Sequence, residues 1–96
     1  MWRLRIMSLQ SKLDALSNPI SREIMTLLKE GKLSAGDIAR ALEMTPAATS
    51  YHLKKLKEAD LLYESRHKNF IYYELNLSIL DELVVWITSL KGDQSE

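Results

Sequence analysis

The sequence contains no cysteine, and only three glycines and two prolines among its 96 residues. Without cysteine there are no disulfide bonds and no thiolate metal sites, which agrees with a reducing cytoplasm. No apolar run approaches the roughly 20 residues that a membrane-spanning helix requires. Residues 1–7 lack the apolar middle and the small-residue cleavage site of a signal peptide. We therefore expect a cytoplasmic protein that has no membrane segment.

The chain also lacks net charge, because its 13 Lys and Arg residues are matched by 13 Asp and Glu residues. Zero net charge by itself argues against a nucleic-acid partner. The charge is unevenly distributed, however, since residues 45–58 hold three lysines and one glutamate, whereas residues 74–96 hold one lysine and five acidic residues. We therefore expect weak non-specific binding to DNA rather than none.

The length predicts one domain spanning residues 1–96. A domain of this size builds only a modest core, so a second subunit is a reasonable expectation. We expect residues 1–7 and 92–96 to be flexible ends, and Met7 is an alternative start to Met1.

Three helices are predicted before residue 43, because apolar residues recur there every three or four positions. The first covers residues 3–16. The second has Asn18 as its N-cap and Pro19 in its first turn, and Gly31 is the expected stop. The third begins behind a Ser34 cap.

The stretch from Thr45 to Glu58 predicts a fourth helix with two different faces. One face is an apolar stripe that must be buried, formed by Thr49, Leu53 and Leu56. The other face has small, hydroxylated, aromatic and cationic side chains, which can approach base edges, stack on bases or neutralise phosphates: Ala47, Ser50, Tyr51 and Lys54. Together with the preceding short helix it predicts a helix-turn-helix whose second helix enters a DNA major groove. The alternative for Tyr51 is that it folds back onto the core.

After this helix the apolar period changes to about 2, which predicts a β-hairpin. We expect strands over Leu61–Ser65 and Phe70–Leu75, with Asn69 as the turn residue that best tolerates positive φ. The predicted loop is basic, with Arg66, His67 and Lys68. Cations at a hairpin tip suit a contact with the DNA backbone or minor groove, and an ordinary solvated turn is the alternative.

A last helix is expected over about residues 78–91, capped by Ser78. Its apolar residues form more than one row, so one row can pack on the domain and the other is left for a second chain. We expect a homodimer that pairs the first and last helices. The predicted dimer interface consists of Leu9, Leu13, Ile79, Leu83, Trp86 and Leu90.

The predicted DNA surface combines the fourth helix with the hairpin. We expect the lysines of the fourth helix, including Lys57, and the hairpin cations to neutralise phosphates. The small and aromatic side chains of the helix are expected to select bases. The predicted DNA-binding residues are Thr45, Ala47, Ser50, Tyr51, His52, Lys54, Lys55, Arg66, His67 and Lys68.

No catalytic pattern is present in the sequence. It has no Gly-rich phosphate loop, no nucleophile with a base at a useful spacing and no defensible pair of carboxylates. His52 and His67 have no cysteine beside them, so we do not interpret them as a zinc site. We predict that the protein is not an enzyme and binds no cofactor and no metal.

The order of elements, α-α-α-α-β-β-α, resembles the winged helix-turn-helix repressors of the ArsR type over roughly residues 9–90. The motifs that carry the resemblance are Leu16–Ile24, Ser34–Ala39, Thr45–Leu56 and Arg66–Leu75, which are specific because all four occur in order at the right spacing. Within that family the chain is most similar to small, metal-independent autorepressors of the sporulation-delay type. The resemblance implies a mainly α, dimeric winged helix that binds double-stranded DNA at an inverted-repeat operator and blocks polymerase access.

The chain departs from the metal sensors of that family. Its arsenic and cadmium sensors carry cysteines in the helix that precedes the recognition helix, where this chain has Ala35–Leu42. Its zinc sensors place Asp and His ligands on the last helix, where this chain offers Asp81 and Glu82 without a histidine. The hairpin also lacks the glycine that is customary in the family. The resemblance therefore implies a regulator without either usual sensing site.

The sequence is also compatible with two alternative functions. A winged helix can dock another protein through the same exposed face, and zero net charge leaves room for such a protein-interaction module. A small-molecule-responsive regulator would instead need an apolar pocket between the terminal helices, and a fully packed Trp86 would disfavour it. The sequence therefore also allows a further partner, which would be an unidentified protein or a small-molecule effector.

Overall fold

The computed structural model describes the backbone of residues 2–92 and the side chains of residues 9–92. Its helices are α1 (Trp2–Leu16), α2 (Pro19–Leu27), α3 (Ala35–Ala41), α4 (Pro46–Glu58) and α5 (Leu77–Lys91). Its strands are β1 (Leu33–Ser34), β2 (Leu62–His67) and β3 (Phe70–Leu75), which form an antiparallel sheet in the order β1-β3-β2. Of the predicted flexible ends, residues 1 and 93–96 lie outside the described residues, and the flexibility of 1–7 and 92–96 stays a prediction.

The predicted N-caps of α2, α3 and α4 are confirmed. The Asn18 carboxamide oxygen accepts a hydrogen bond from the backbone N–H of Ile20 at 2.8 Å. The Ser34 hydroxyl accepts from Asp37 and the Thr45 hydroxyl accepts from Ala48, each at 3.1 Å. Each cap satisfies a backbone donor that has no partner within its own helix, so the three helix starts are fixed by local chemistry.

The segment between α2 and α3 contains a strand that the sequence did not predict. After α2 the chain forms one 3-10 turn, Leu28–Glu30, and ends at Gly31, whose φ of 137° confirms it as the stop. β1 then pairs with β3 through Leu33 opposite Tyr73 and Ser34 opposite Tyr72. Two residues are too few to show an alternating pattern, so only the pairing with β3 makes this segment a strand.

The hairpin differs from its prediction at one strand and at its turn. β2 begins one residue later than expected and continues through Arg66 and His67, because the ladder extends to the pair His67–Phe70. Only two residues therefore connect the strands, and the residue with positive φ is Lys68, at 57°, rather than Asn69. A two-residue hairpin commonly places its first turn residue in this region. The bounds predicted for the second strand, Phe70–Leu75, are confirmed.

The core lies beneath α4. Ile24 from α2, Ile38 from α3 and Leu56 from α4 have no exposed surface. Leu61, which follows α4, is equally buried, and Leu83 from α5 packs against the same cluster. Burying a side chain of this kind contributes about 1.5–3 kcal/mol, so these contacts fix the helix-turn-helix on the rest of the domain.

The cap of α5 is Asn76, which corrects the prediction of Ser78. The Asn76 carboxamide oxygen accepts from the N–H of Ile79 at 3.3 Å, and its amide nitrogen donates to the carbonyl of Asp60 at 2.9 Å. The side chain is buried, whereas Ser78 is exposed. Asn76 therefore joins the start of α5 to the turn after α4, a tertiary contact that the sequence pattern does not reveal.

We expect Asn76→Ala to lower the free energy of unfolding by about 1–3 kcal/mol, because it removes a cap and leaves the Asp60 carbonyl without its donor. Ser78→Ala is the matched control and should change the free energy by less than about 0.5 kcal/mol. Urea unfolding followed by circular dichroism measures both. Equal losses in the two variants would contradict the assignment of the cap.

Candidate nucleic-acid interface

Helix α4 has one buried face and one exposed face, as its sequence predicts. Thr49 and Leu53 are each 1% exposed, and the Thr49 hydroxyl donates to the carbonyl of Thr45 at 2.9 Å, so this polar group is satisfied inside the core. On the other face every side chain that was predicted to face DNA is exposed: Ala47, Ser50, Tyr51 and Lys54. The helix is thus held by one side, and the other is available to a partner.

Tyr51 points outward, so the alternative in which it folds onto the core is wrong. Its side chain is 58% exposed. The His52 ring meets it edge-to-face, with 5.2 Å between the ring centroids, and the Lys55 ammonium lies 5.7 Å from its centroid. These contacts restrict the tyrosine ring without covering it, so Tyr51 is presented to solvent as an oriented aromatic surface.

His52 is half-buried at the side of α4 that faces α1 and α2. A groove of about 300 Å³ runs there, lined by Asp14, Asn18, Ser21 and Lys55 among others. It is open to solvent and lies away from Trp86, which is half-buried. This groove is therefore not the apolar pocket between the terminal helices that a small-molecule sensor was expected to need.

The hairpin places its predicted cations in solvent. Arg66, His67 and Lys68 are all exposed, and Arg66 lies on the face of the sheet that includes Glu64 and Tyr73. The other face carries an exposed aromatic residue, Phe70. The structure thus presents a basic hairpin tip beside α4, as the sequence predicts.

One polar connection between α4 and the hairpin was missed by sequence reasoning. The Lys57 ammonium donates to the Glu64 carboxylate at 2.6 Å, and the Tyr73 hydroxyl donates to the other oxygen of the same carboxylate at 2.8 Å. Lys57 was expected to neutralise a phosphate, but its charge is already matched inside the chain. The sequence carries no signal for this link, because it depends on how β2 docks beside α4.

The contacts among Lys57, Glu64 and Tyr73 determine the ionisation of Glu64 and Tyr73. The bonds from Lys57 and then from Tyr73 hold the pKa of the Glu64 carboxyl below its ordinary value. Burial, followed by the bond to Glu64, raises the pKa of Tyr73 to about 12. The carboxylate and the neutral phenol are therefore both present at neutral pH.

The predicted dimer residues lie in different environments within the single chain. Leu83 is 7% exposed and already belongs to the chain's own core, and Leu9, Ile79 and Trp86 are half-buried. Leu13 is 39% exposed and Leu90 is 68% exposed. Further exposed apolar residues on α5 are Leu77, Val84, Val85 and Ile87. The apolar surface left on α5 is thus concentrated on residues other than Leu83.

Within residues 9–92, His, Asp and Glu side chains do not gather in groups of three or more that would hold a metal ion. Across the described helices, none combines the length and the apolar character needed to cross a membrane.

Three comparisons relate the chain to known proteins. Residues 18–64 match the family model described as bacterial regulatory protein, arsR family. The chain is 40% identical over 81 residues to the transcriptional repressor SdpR of Bacillus subtilis (strain 168), covering 82% of this chain and 90% of that protein. It is 32% identical over 76 residues to the arsenical resistance operon repressor of Staphylococcus aureus, covering 79% and 73% of the two chains. The solution structure of a homodimeric winged helix-turn-helix DNA-binding domain from Mycobacterium bovis superposes with a TM-score of 0.78 at 22% identity, over 98% of this chain and 87% of that one.

A capped amphipathic helix that follows a short helix and precedes a basic hairpin defines a winged helix-turn-helix domain. It is the DNA-binding domain of a transcriptional regulator, and not an enzyme. The chain belongs to the ArsR family of bacterial regulatory proteins. The fold class and the family resemblance predicted from the sequence are thereby confirmed.

The Lys57–Glu64 ion pair should make the free energy of unfolding depend on pH. Because the pKa of Glu64 is lowered in the folded chain, its contribution is present above the ordinary value of 4.5 and is lost as the pH falls through the folded value. We expect Glu64→Gln to cost about 0.5–1 kcal/mol at pH 7, since the pair is partly exposed, and to cost progressively less as the pH falls below 4.5. Urea unfolding of both proteins from pH 3 to 7 measures the difference, and a constant difference would refute the role of the carboxylate.

Proposed function

We propose that the protein is a homodimeric repressor that places α4 in the major groove of an inverted-repeat operator. The observation that carries this proposal is the outer face of α4, where Ala47, Ser50, Tyr51 and Lys54 are exposed on a helix that the core holds rigidly. A surface helix that only needs solvation would carry longer charged side chains there. Family membership adds that the domain regulates transcription.

Base selection is assigned to three side chains on this face. Ala47 lets the helix approach a base closely, the Ser50 hydroxyl can donate to or accept from a base edge, and Tyr51 offers an aromatic face and a hydroxyl. The exposed position of Tyr51 beside Lys55 supports this assignment.

Phosphate contacts are assigned to the cations and polar groups around that face. Lys54, Lys55, Arg66 and Lys68 are exposed, and none of the four is matched by a salt bridge within residues 9–92. Thr45 at the start of α4, His52 beside Tyr51 and His67 at the hairpin are further positions at the border of this surface. Such contacts fix the register of the protein on the duplex without reading its sequence.

We expect Ser50→Ala and Tyr51→Ala to reduce the preference for the operator, whereas Lys54→Ala weakens binding to every sequence and flattens its salt dependence. Lys29→Ala, at an exposed lysine outside α4 and the hairpin, is the control. It should change neither the preference for the operator nor the salt dependence of binding. The operator is first selected from genomic fragments with the purified protein, and affinities for it and for unrelated duplex are then measured by fluorescence anisotropy at several salt concentrations. Equal losses on both duplexes for Ser50, Tyr51 and Lys54 variants would contradict the roles proposed.

The dimer is assigned to α1 and α5. Its proposed interface consists of Leu9, Leu13, Ile79, Leu83, Trp86 and Leu90, with Leu83 contributing least because it is covered within the chain. The exposure of Leu90 and its neighbours on α5 supports this, since a monomer would leave an apolar helix face in water. A two-fold axis there would set the two α4 helices about 34 Å apart, which is one turn of DNA.

We expect Leu90→Arg to produce a monomer that binds the operator at least about 100-fold more weakly, because a charge cannot be buried unpaired at a subunit interface. Leu90 is exposed in the single chain, so the substitution should leave its folding intact. Thr26→Arg adds the same charge at an exposed position of α2, outside α1, α5 and the proposed DNA surface, and is the control. Sedimentation velocity measures the assembly, and an intact Leu90→Arg dimer would overturn the interface.

We also propose that repression here responds to no metal and takes place in the cytoplasm, where the DNA is. The proposal rests on the lack of cysteine and on the composition of α3 and α5, which hold acidic residues but no histidine. Structural zinc sites are built mainly from Cys and His, so neither helix offers a suitable ligand set.

A further inference from the structure

A carboxylate lies within the surface that is proposed to bind phosphates. Glu64 on β2 accepts from the Lys57 ammonium at 2.6 Å and from the Tyr73 hydroxyl at 2.8 Å. Lys57 follows Lys54 by one helical turn and Ser50 by two, so it lies along the same strip of α4. Arg66, two residues beyond Glu64, is on the same face of the hairpin. Glu64 is thus surrounded by cations on both the helix side and the hairpin side.

We propose that Glu64 withholds Lys57 from DNA, which limits the general affinity of the protein for duplex. The inference rests on the proposed function. It assigns Lys57 to an internal ion pair with Glu64 rather than to the binding of a phosphate.

The geometry explains why this pair would persist against DNA. Tyr73 is only 8% exposed and holds the second oxygen of Glu64, so the carboxylate cannot swing away from Lys57 without losing that bond as well. The lowered pKa of Glu64 keeps the carboxylate charged at neutral pH. A phosphate that approached Lys57 would also meet the negative charge of Glu64, which opposes its binding.

The test compares four variants of the full chain, Glu64→Gln, Glu74→Gln, Lys54→Met and Lys57→Met, on operator and on unrelated duplex from 50 to 200 mM salt. Glu74 is exposed on the opposite face of the hairpin, so its variant controls for the loss of one negative charge. Circular dichroism and urea unfolding check that each variant is folded.

Each phosphate contact changes the slope of log affinity against log salt by about 0.9, so one new contact per subunit changes it by about 1.8 in a dimer. We expect Glu64→Gln to steepen the slope by about that amount, which over this salt range is an additional loss of affinity of about 12-fold. Lys54→Met should flatten it by a similar amount, while Lys57→Met and Glu74→Gln leave it nearly unchanged.

Two results would overturn the inference while leaving the proposed function in place. One is that Lys57→Met flattens the slope of log affinity against log salt as much as Lys54→Met does, which would make Lys57 a phosphate ligand. The other is a Glu64→Gln slope equal to that of the wild type or of Glu74→Gln. Absence of duplex binding by the wild-type protein would instead overturn the proposed function, and this inference with it.

Discussion

The burial of one stripe of α4 is the constraint on which the proposed DNA surface depends. Thr49, Leu53 and Leu56 are almost completely buried, and they are anchored against Ile24 of α2 and Ile38 of α3. A 13-residue helix is marginal on its own in water, so this packing, rather than intrinsic propensity, keeps α4 folded. Because the buried stripe fixes the rotation of the helix about its axis, it also decides that Ser50 and Tyr51 face outward.

Polar contacts then orient the elements around this helix. Thr45 fixes where α4 begins, and Asn76 joins the turn after α4 to the start of α5. The Lys57–Glu64 pair, with Tyr73 behind it, links α4 to the hairpin. The core therefore supplies most of the stability, whereas a few hydrogen bonds and one ion pair set the relative positions of the helix, the hairpin and the proposed dimer helix.

The sequence predicts the parts of this structure that are determined locally. The helix starts at Asn18, Ser34 and Thr45 follow from cap chemistry, and the buried stripe of α4 follows from its period. Motif order was sufficient to indicate the family and hence the winged helix-turn-helix. The exposed face of α4 could likewise be assigned, because it is the complement of the buried one.

The features that sequence reasoning missed depend on contacts between distant residues. β1 exists only through its pairing with Tyr72 and Tyr73, and Asn76 caps α5 while it also bonds to Asp60. The turn of the hairpin was assigned to Asn69 on residue preference, but the ladder of β2 and β3 places Lys68 at the strained position. The role of Leu83 in the chain's own core similarly follows from the docking of α5, which the two apolar rows alone do not specify.

We propose that two copies of α4 present their exposed faces to successive major grooves on one side of the duplex. Hydroxyl-radical footprinting of the wild-type protein on its selected operator, combined with methylation protection of guanine N7, tests it directly. We expect two symmetric patches of major-groove protection centred about 10 base pairs apart, with backbone protection on the same side of the DNA. A single asymmetric patch, or protection without a major-groove component, would contradict it.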